Sequence, residues 1–253
     1  EIVLPGLKQK VQVLFDEWAV PHIEAQNEHD AYLALGYLHA QDRLFQLELM
    51  IRVAQGRLSE ILGEDMLDVD RYFRTLGISR FAETYTKDYF HKNPQNVEDA
   101  LKAYLSGLNA FVSGGPAPIE FTILGIPKRE YTIKDLICVG IYMSYTFTNA
   151  VKQDPLLSYI HNTFGAGYLK DLAVYWPKDD TKIDVSGKSS GSELELAELS
   201  FEIANVLSQV PPFFGSNAWV VSGSRTKSGK VILANDPHIG YAAPSIWYEA
   251  HLK

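Results

Sequence analysis

Residues 215–221 read Gly215-Ser216-Asn217-Ala218-Trp219-Val220-Val221. The apolar and aromatic residues that follow Asn217 predict a β-strand that continues to Gly223. Residues 224–229 have the composition of a turn, and the apolar run at 230–234 predicts a second strand, so the two strands should form a hairpin. Before residue 178 the periodicity is mostly helical. The sequence therefore predicts an α+β chain in which β structure takes over at Ser216.

Ser216 is the residue with the most specific chemical interpretation. A serine after a glycine at a junction of loop and strand is usually a turn residue, and this remains the alternative. A serine hydroxyl is a weak nucleophile unless a base accompanies it. If the peptide bond between Gly215 and Ser216 were cut, the new α-amine, with a pKa of about 8, would supply that base. Gly215 suits the cut because it lacks a Cβ and tolerates a strained bond.

The first part of the chain shows strands and then long helical patterns. The alternation at 11–15 predicts a strand, and a second extended segment follows it through Pro21. Apolar residues at spacings of three and four run from about Glu28 to Leu62. Gly36 and Gly56 interrupt this pattern, which predicts two or three helices rather than one.

Further helices are expected between residues 97 and 167. The patterns are a helix at 97–112, a loop at 120–131, a helix from the N-cap Thr132 to Met143, and a short helix that starts at Pro155. Residues 178–192 have the composition of an exposed linker, and residues 193–207 predict an acidic amphipathic helix. The last residues, 244–253, have the pattern of an element cut in its middle, which suggests a piece of a longer protein; a natural terminus with a buried last strand is the alternative.

Composition excludes several classes of protein. The 253 residues carry 31 acidic and 23 basic side chains, so the formal charge of −8 argues against a nucleic-acid binder. There is no run of 18 apolar residues, so no membrane-spanning segment is predicted. The single cysteine excludes an internal disulfide and a cysteine-rich zinc site. The histidines have no H-E-x-x-H spacing, and phosphate-binding, dinucleotide-binding and G-x-S-x-G motifs are absent.

Several motifs in order along the chain resemble the penicillin acylase family of N-terminal-nucleophile hydrolases. The resemblance to the family's processing site and the start of its β chain lies in residues 215–221, 223–230 and 235–238, and the resemblance to its α chain lies in residues 16–23, 30–46 and 56–60. It implies a four-layer αββα sandwich. This chain would supply a mostly helical α-chain portion at 1–177, a spacer peptide at 178–215 and the truncated start of the β chain at 216–253.

The resemblance also implies roles at the processing site. The bond between Gly215 and Ser216 would be the autocatalytic cleavage site, and mature Ser216 would be the catalytic nucleophile. The family builds part of its oxyanion hole from the region that matches residues 235–238. His238 matches the position that supports the nucleophile in cephalosporin acylase-like members, whereas penicillin G acylases carry glutamine there. A turn histidine near the end of a strand is the alternative for His238.

Other roles that the resemblance implies have simple structural alternatives. Tyr142, Tyr145 and Phe147 match the wall of the acyl pocket, but at helical spacing they could equally be core aromatics. Some members bind structural calcium through an α-chain carboxylate, for which Asp154 is a weak match; an exposed Asp before a Pro is the alternative. No cofactor for catalysis is implied.

The expected function is therefore hydrolysis of the amide bond of small N-acylated compounds, such as β-lactam side chains or acyl-homoserine lactones. The partner would be the second chain of an α/β heterodimer made from one precursor, in the periplasm or outside the cell. Most of the family's β chain is absent from this sequence, so the chain alone should be inactive. Two other hypotheses are a non-catalytic binding or assembly module on the same scaffold, and a helical domain with a chance Gly-Ser pair.

Overall fold

The computed structural model describes residues 2–92, 95–148, 150–172, 195, 198 and 213–253. They form two compact units, one made of Glu1–Ser144 with Ala242–Lys253 and the other of Tyr145–Tyr241. The second unit is thus an insertion between two parts of the first. The predicted linker at 178–192 lies outside the described residues, and so does the predicted acidic helix at 193–207 apart from positions 195 and 198.

Helices make up most of the described residues. Their bounds are α1 Glu28–Gln55, α2 Ser59–Leu62, α3 Leu67–Leu76, α4 Ile78–Lys92, α5 Gln95–Gly114, α6 Ile119–Leu124, α7 Ile133–Phe147, α8 Ala150–Phe164 and α9 Ala166–Asp171. The strands are β1 Gln12–Phe15, β2 Pro21–Glu24, β3 Phe213–Val221, β4 Ile232–Ile239 and β5 His251–Leu252. In the described part of the chain, no helix is both long and apolar enough to cross a bilayer.

The long helix α1 is the centre of the first unit. Asn27 caps its start by accepting a hydrogen bond from the Asp30 N–H at 2.9 Å, and Gly56 ends it with a φ of 64°. The prediction that Gly36 interrupts this helix is wrong. A Cβ at Gly36 would lie 2.0 Å from the carbonyl oxygen of Tyr104, so the glycine is there to let α5 approach closely. The break in helical geometry occurs instead at Arg43, whose φ is −136°.

Two other predictions about helices need correction. Residues 119–124 form a helix where a loop was expected, because Phe121 inserts into the core, where it is only 2 % exposed. Helix α8 begins at Ala150, before Pro155 rather than at it. The predicted N-cap at Thr132 is confirmed: its hydroxyl accepts from the Asp135 N–H at 3.3 Å, and Asp135 accepts in return from the Thr132 N–H at 2.9 Å.

The main core of the first unit joins α1 to α5 and the segments after it. Its buried residues are Ala40, Leu44, Leu47, Ile51, Leu108, Phe111, Val112, Phe121, Ile126 and Tyr131. A buried ion network lies in the same unit. Glu48 is 1 % exposed and accepts from Arg52 Nε at 2.7 Å, and its other oxygen lies 3.1 Å from Arg129 Nη2. Both oxygens of this buried carboxylate therefore face a guanidinium group.

A three-stranded sheet completes the first unit, with the strand order β1-β2-β5. Strands β1 and β2 are antiparallel, whereas β2 and β5 are parallel, with His22 opposite His251 and Ile23 opposite Leu252. The Lys253 N–H donates to the carbonyl of Ile23 at 2.9 Å, which extends the pairing by one residue. The last residues of the chain thus add a third strand to a sheet whose other two strands come from residues 12–24.

The segment before β5 packs on a polar stripe of α1, which we define as His39, Asp42, Arg43 and Gln46. These positions are three, four and seven residues apart, so they share one face of the helix. The stripe binds the segment mainly through the aromatic ring of Tyr248. The Tyr248 hydroxyl donates to Asp42 Oδ2 at 2.8 Å, its ring stacks on His39 at 4.9 Å, and Gln46 Nε2 donates to the carbonyl of Ser245 at 3.3 Å.

Candidate active site

The candidate active site is the hairpin of β3 and β4, in the second unit. Its register places Gly215 opposite His238, Ser216 opposite Pro237 and Asn217 opposite Asp236. The first strand begins at Phe213 rather than at Asn217, so Ser216 lies within a strand. The alternative of a turn residue is therefore wrong for Ser216.

An irregularity in the pairing precedes the predicted cleavage site. Phe213 pairs with Ile239 and Gly215 pairs with His238, so two steps along β3 match one step along β4. This is the arrangement of a β-bulge, which bends a strand and re-aims the side chains beside it. The bulge ends at Gly215, directly before the bond to Ser216.

Ser216 has an exposed side chain whose hydroxyl donates to Asn235 Oδ1 at 3.4 Å. The contact is diagonal, because Asn235 is two residues from Pro237, the residue opposite Ser216. Side chains two apart share one face of a strand. Ser216 and Asn235 therefore lie on the same face of the hairpin, and the asparagine holds the hydroxyl.

His238 is half-buried and has two possible partners at one nitrogen. Its Nε2 lies 3.1 Å from Asp236 Oδ2 and 3.3 Å from Asn217 Nδ2. With a hydrogen, Nε2 donates to Asp236; without one, it accepts from Asn217. Nδ1 is then a free acceptor in the first case, because neutral imidazole carries one hydrogen. The carboxylate of Asp236 thus favours the tautomer in which Nδ1 can act as a base.

The register also fixes what His238 can reach. Gly215 is opposite His238, and Ser216 is the next residue, so the side chains of Ser216 and His238 point to opposite faces. A Cβ built on Gly215 would lie 3.9 Å from His238 Nδ1. The imidazole therefore lies on the face of the hairpin to which a Gly215 side chain would point. The hydroxyl of Ser216 and the imidazole of His238 therefore lie on opposite faces of the hairpin.

Asn217 is a member of this site that the sequence did not single out. The sequence predicts only that Asn217 begins a strand, and its contact with His238 depends on the register of the hairpin. A six-residue turn allows more than one register, so the sequence alone gives no signal for this pair.

The three aromatic candidates for the acyl pocket have different surroundings. Tyr142 is 2 % exposed and lies edge-on to Phe73, with ring centres 5.7 Å apart, in the first unit. Burial raises the pKa of its hydroxyl to about 12. Tyr145 is half-buried and Phe147 is 39 % exposed, and both belong to the second unit with Ser216. A pocket role for the three residues stays a prediction.

Asp154 is exposed on α8, and its calcium role also stays a prediction. Among the residues that the structure describes, no group of three or more His, Cys, Asp or Glu side chains is arranged to hold a metal ion.

Comparison with known proteins gives consistent matches along the chain. The family model described as penicillin amidase matches residues 10–253. The chain is 34% identical over 267 residues to penicillin acylase 2 proenzyme of Pseudomonas sp. (strain SE83), covering 98% of this chain and 33% of that protein. It is 27% identical over 258 residues to the acyl-homoserine lactone acylase QuiP of Pseudomonas aeruginosa, covering 99% of this chain and 30% of the relative. The chain thus spans about a third of the length of these relatives.

A solved structure supports the fold. The thermostable penicillin G acylase from Alcaligenes faecalis superposes with a TM-score of 0.53 at 22% identity, covering 73% of this chain and 100% of that chain. This likeness confirms the expected α+β fold of the N-terminal-nucleophile type. A helical domain with a chance Gly-Ser pair is excluded, since the family model includes the hairpin. The fold and the match over residues 10–253 lead to one conclusion: this chain belongs to the penicillin amidase family.

Proposed function

We propose that the chain is part of an acylase that hydrolyses the amide bond of small N-acylated compounds, with Ser216 as an N-terminal nucleophile. The observation that carries the proposal is the hairpin that sets Gly215 and Ser216 against Asn235, Asp236 and His238. The relatives are named for penicillins and acyl-homoserine lactones, and both compounds carry an acyl group on an amide nitrogen. A β-lactam side chain or an acyl-homoserine lactone is the substrate class that we propose.

Maturation would begin with attack of Ser216 on its own neighbour. The Oγ atom bonds to the carbonyl carbon of Gly215 as the C–N bond to Ser216 breaks, and the nitrogen takes the hydroxyl proton. Water then hydrolyses the resulting ester, which frees the Gly215 carboxylate and returns the Ser216 hydroxyl beside a new α-amine. The name proenzyme of one relative supports such a step, and the bulge before Gly215 places a bend beside this bond.

In the mature enzyme the α-amine of Ser216 would take the proton from the hydroxyl as Oγ attacks the substrate carbonyl. The resulting acyl-enzyme is an ester, which water hydrolyses to release the acid. Asn235 already binds the hydroxyl, so it restricts the rotation of the nucleophile. His238 lies directly opposite Gly215, the residue before the new α-amine, so we assign it the support of that amine, with Asp236 fixing its tautomer.

The hairpin supports the proposal that further chain completes the enzyme. Trp219 is 65% exposed, Val220 69% and Leu233 71%, which is unusual for strand residues of this type. A layer that covers these apolar side chains would be supplied by sequence outside the described residues. We therefore propose that residues 1–253 alone are inactive, and that the working enzyme is a processed α/β heterodimer, periplasmic or secreted.

The test is mass spectrometry of the full-length protein. Wild type should yield a fragment whose first residue is Ser216, whereas Ser216→Ala should remain one chain without amidase activity. Ser222→Ala, at the residue directly after the same strand, is the matched control and should be processed normally. An intact chain that turns over acyl amides normally would refute the mechanism. An intact chain that is inactive and unreactive with serine-directed reagents would favour the non-catalytic binding or assembly module.

A further inference from the structure

We infer that His22 and His251 form a binding site for a divalent transition-metal ion such as Zn²⁺ or Cu²⁺. The two Nδ1 atoms lie 3.1 Å apart, and the rings are nearly perpendicular at 85°. The pair lies in the first unit, away in sequence from Ser216, and does not depend on the proposed reaction. It joins β2, near the start of the chain, to β5, at residues 251–252.

The separation of the two nitrogens suits a shared metal. A metal–nitrogen bond of about 2.0–2.1 Å places two ligands of a tetrahedral ion about 3.3 Å apart, and two adjacent ligands of a square-planar ion about 2.9 Å apart. The observed 3.1 Å lies between these values. An ion could therefore enter after small ring rotations, without movement of the strands.

Backbone pairing fixes both histidines. His22 is directly opposite His251 in the parallel register of β2 and β5. The ladder continues with two hydrogen bonds of 2.9 Å, from the Lys253 N–H to the carbonyl of Ile23 and from the Ala25 N–H to the carbonyl of Lys253. A ligand pair on paired strands needs less ordering on metal binding than a pair on loops. His22 is 39% exposed at its side chain and His251 is exposed, so water can supply the remaining ligands.

Asp16 orients the first ligand. Its Oδ2 lies 3.1 Å from His22 Nε2, so the Nε2 hydrogen is donated to the carboxylate and neutral His22 presents a bare Nδ1 to the partner ring. Metal-bound histidines commonly donate their second nitrogen to a carboxylate in this way. In the metal-free pair, His251 supplies the hydrogen between the rings. On metal binding that hydrogen moves to His251 Nε2, so both rings remain neutral.

The nature of the ligands selects the ion. Imidazole nitrogens favour Zn²⁺, Cu²⁺ and Ni²⁺ over Ca²⁺ and Mg²⁺, which prefer oxygen, and Cu²⁺ should bind most tightly. With two protein ligands and water in the other positions, the site is open. A bound ion would cross-link segments that lie on opposite sides of Ser216 in the sequence.

The test is titration with Cu²⁺ followed by electron paramagnetic resonance, with Zn²⁺ calorimetry in parallel. Wild type should bind one Cu²⁺ at the His22–His251 pair of each chain, and its resonance spectrum should show coupling to two imidazole nitrogens. His22→Gln and His251→Gln should each bind at least tenfold more weakly and show at most one imidazole from this site. His161→Gln, which removes an exposed histidine on α8, should behave as wild type.

Asp16→Asn keeps both histidines and separates metal binding from folding. Asp16 Oδ1 accepts from the N–H groups of Trp18 and Val20, and an asparagine oxygen can keep both bonds while its NH₂ replaces Oδ2. Metal affinity should fall 10–100-fold with unchanged circular dichroism. Equal affinity in wild type and His251→Gln, or no saturable binding in wild type, would show a simple hydrogen-bonded pair and overturn the assignment.

Discussion

Gly215 lies directly opposite His238 across the β3–β4 hairpin, and the imidazole Nδ1 is 3.9 Å from where a Cβ of Gly215 would be. The ring therefore lies on the face of the hairpin opposite the Ser216 hydroxyl, which donates to Asn235 Oδ1. The side chains of Ser216 and His238 point to opposite faces of the hairpin, and this division leads to the first prediction.

The first prediction concerns Asp236, which we assign as a positioning residue for His238. In the full-length enzyme, His238→Ala should lower kcat for an acyl amide by about 10²–10⁴, the usual contribution of an acid–base group. Asp236→Asn should lower kcat less, by about tenfold, with KM unchanged and an altered pH profile, because only the tautomer of His238 is affected. Ser228→Ala, in the turn of the hairpin, is the control. A change in KM alone would assign Asp236 to substrate binding.

The second prediction concerns the crossing of α1 and α5. Gly36→Ala would place a Cβ 2.0 Å from the carbonyl oxygen of Tyr104, so the helices must move apart. The free energy of unfolding should fall by about 3 kcal/mol, the upper end for an overpacked core. Gly140→Ala, on the exposed face of α7 with no atom within 4 Å of the added Cβ, should instead raise it by about 0.5–1 kcal/mol. Urea unfolding measures both, and equal effects would contradict the role of Gly36.

The third prediction concerns the buried ion network. Arg52→Met leaves Glu48, 1 % exposed, without one of its two guanidinium partners, so the free energy of unfolding should fall by about 3–5 kcal/mol. Arg71→Met breaks a pair with Asp68 in which the two side chains are 75% and 69% exposed, and the loss of unfolding free energy should stay below about 1 kcal/mol. Thermal unfolding distinguishes the two. If the two variants lost the same free energy of unfolding, the buried network would contribute no more to stability than an exposed ion pair.

The fourth prediction concerns the pH dependence of stability through Asp30. Burial alone would raise the pKa of this carboxyl, but hydrogen bonds from the Lys8 and Gln9 N–H groups, Asn27 and His29 outweigh burial and lower it to about 2. A carboxylate with a depressed pKa stabilises the fold above its unfolded pKa of about 4, and that contribution is lost as the pH falls toward 2.

The measurement for Asp30 compares wild type with Asp30→Asn by urea unfolding between pH 5 and pH 2. The free energy of unfolding of wild type should exceed that of Asp30→Asn most near pH 5, and this difference should shrink steadily below pH 4. A difference that stays constant over this range would mean that the Asp30 charge contributes nothing and only its shape matters.

The sequence predicted elements better than it predicted their pairings. The hairpin around Ser216 and the capped helix after Thr132 follow from local composition, and both are present. The kink at Arg43 has no local signal, because neither proline nor glycine stands there. The prediction for Gly36 is wrong because a glycine in a helical pattern indicates either a break in the helix or the close approach of another element. Only the position of α5 distinguishes them.

The candidate site was predictable to a similar degree. Gly215, Ser216 and His238 were named from motifs, and the structure brings them together on one hairpin. The opposite orientation of Ser216 and His238 depends on the register, and a slip of one residue would reverse it. Strand β5 has only two residues, too few for a periodic signal, so its pairing with β2 could not be read from the sequence.

The parallel pairing of β2 with β5 delays completion of the sheet until late in biosynthesis. His22 and His251 are 229 residues apart, so a ribosome that adds about 5–20 residues per second needs about 10–45 s to deliver the partner strand. During that interval β1 and β2 can form only a two-stranded ribbon, which is marginally stable in water and whose β2 edge, later paired with β5, is still open. The edge of β2 is therefore open to mispairing until Leu252 has been synthesised and β5 can pair with it.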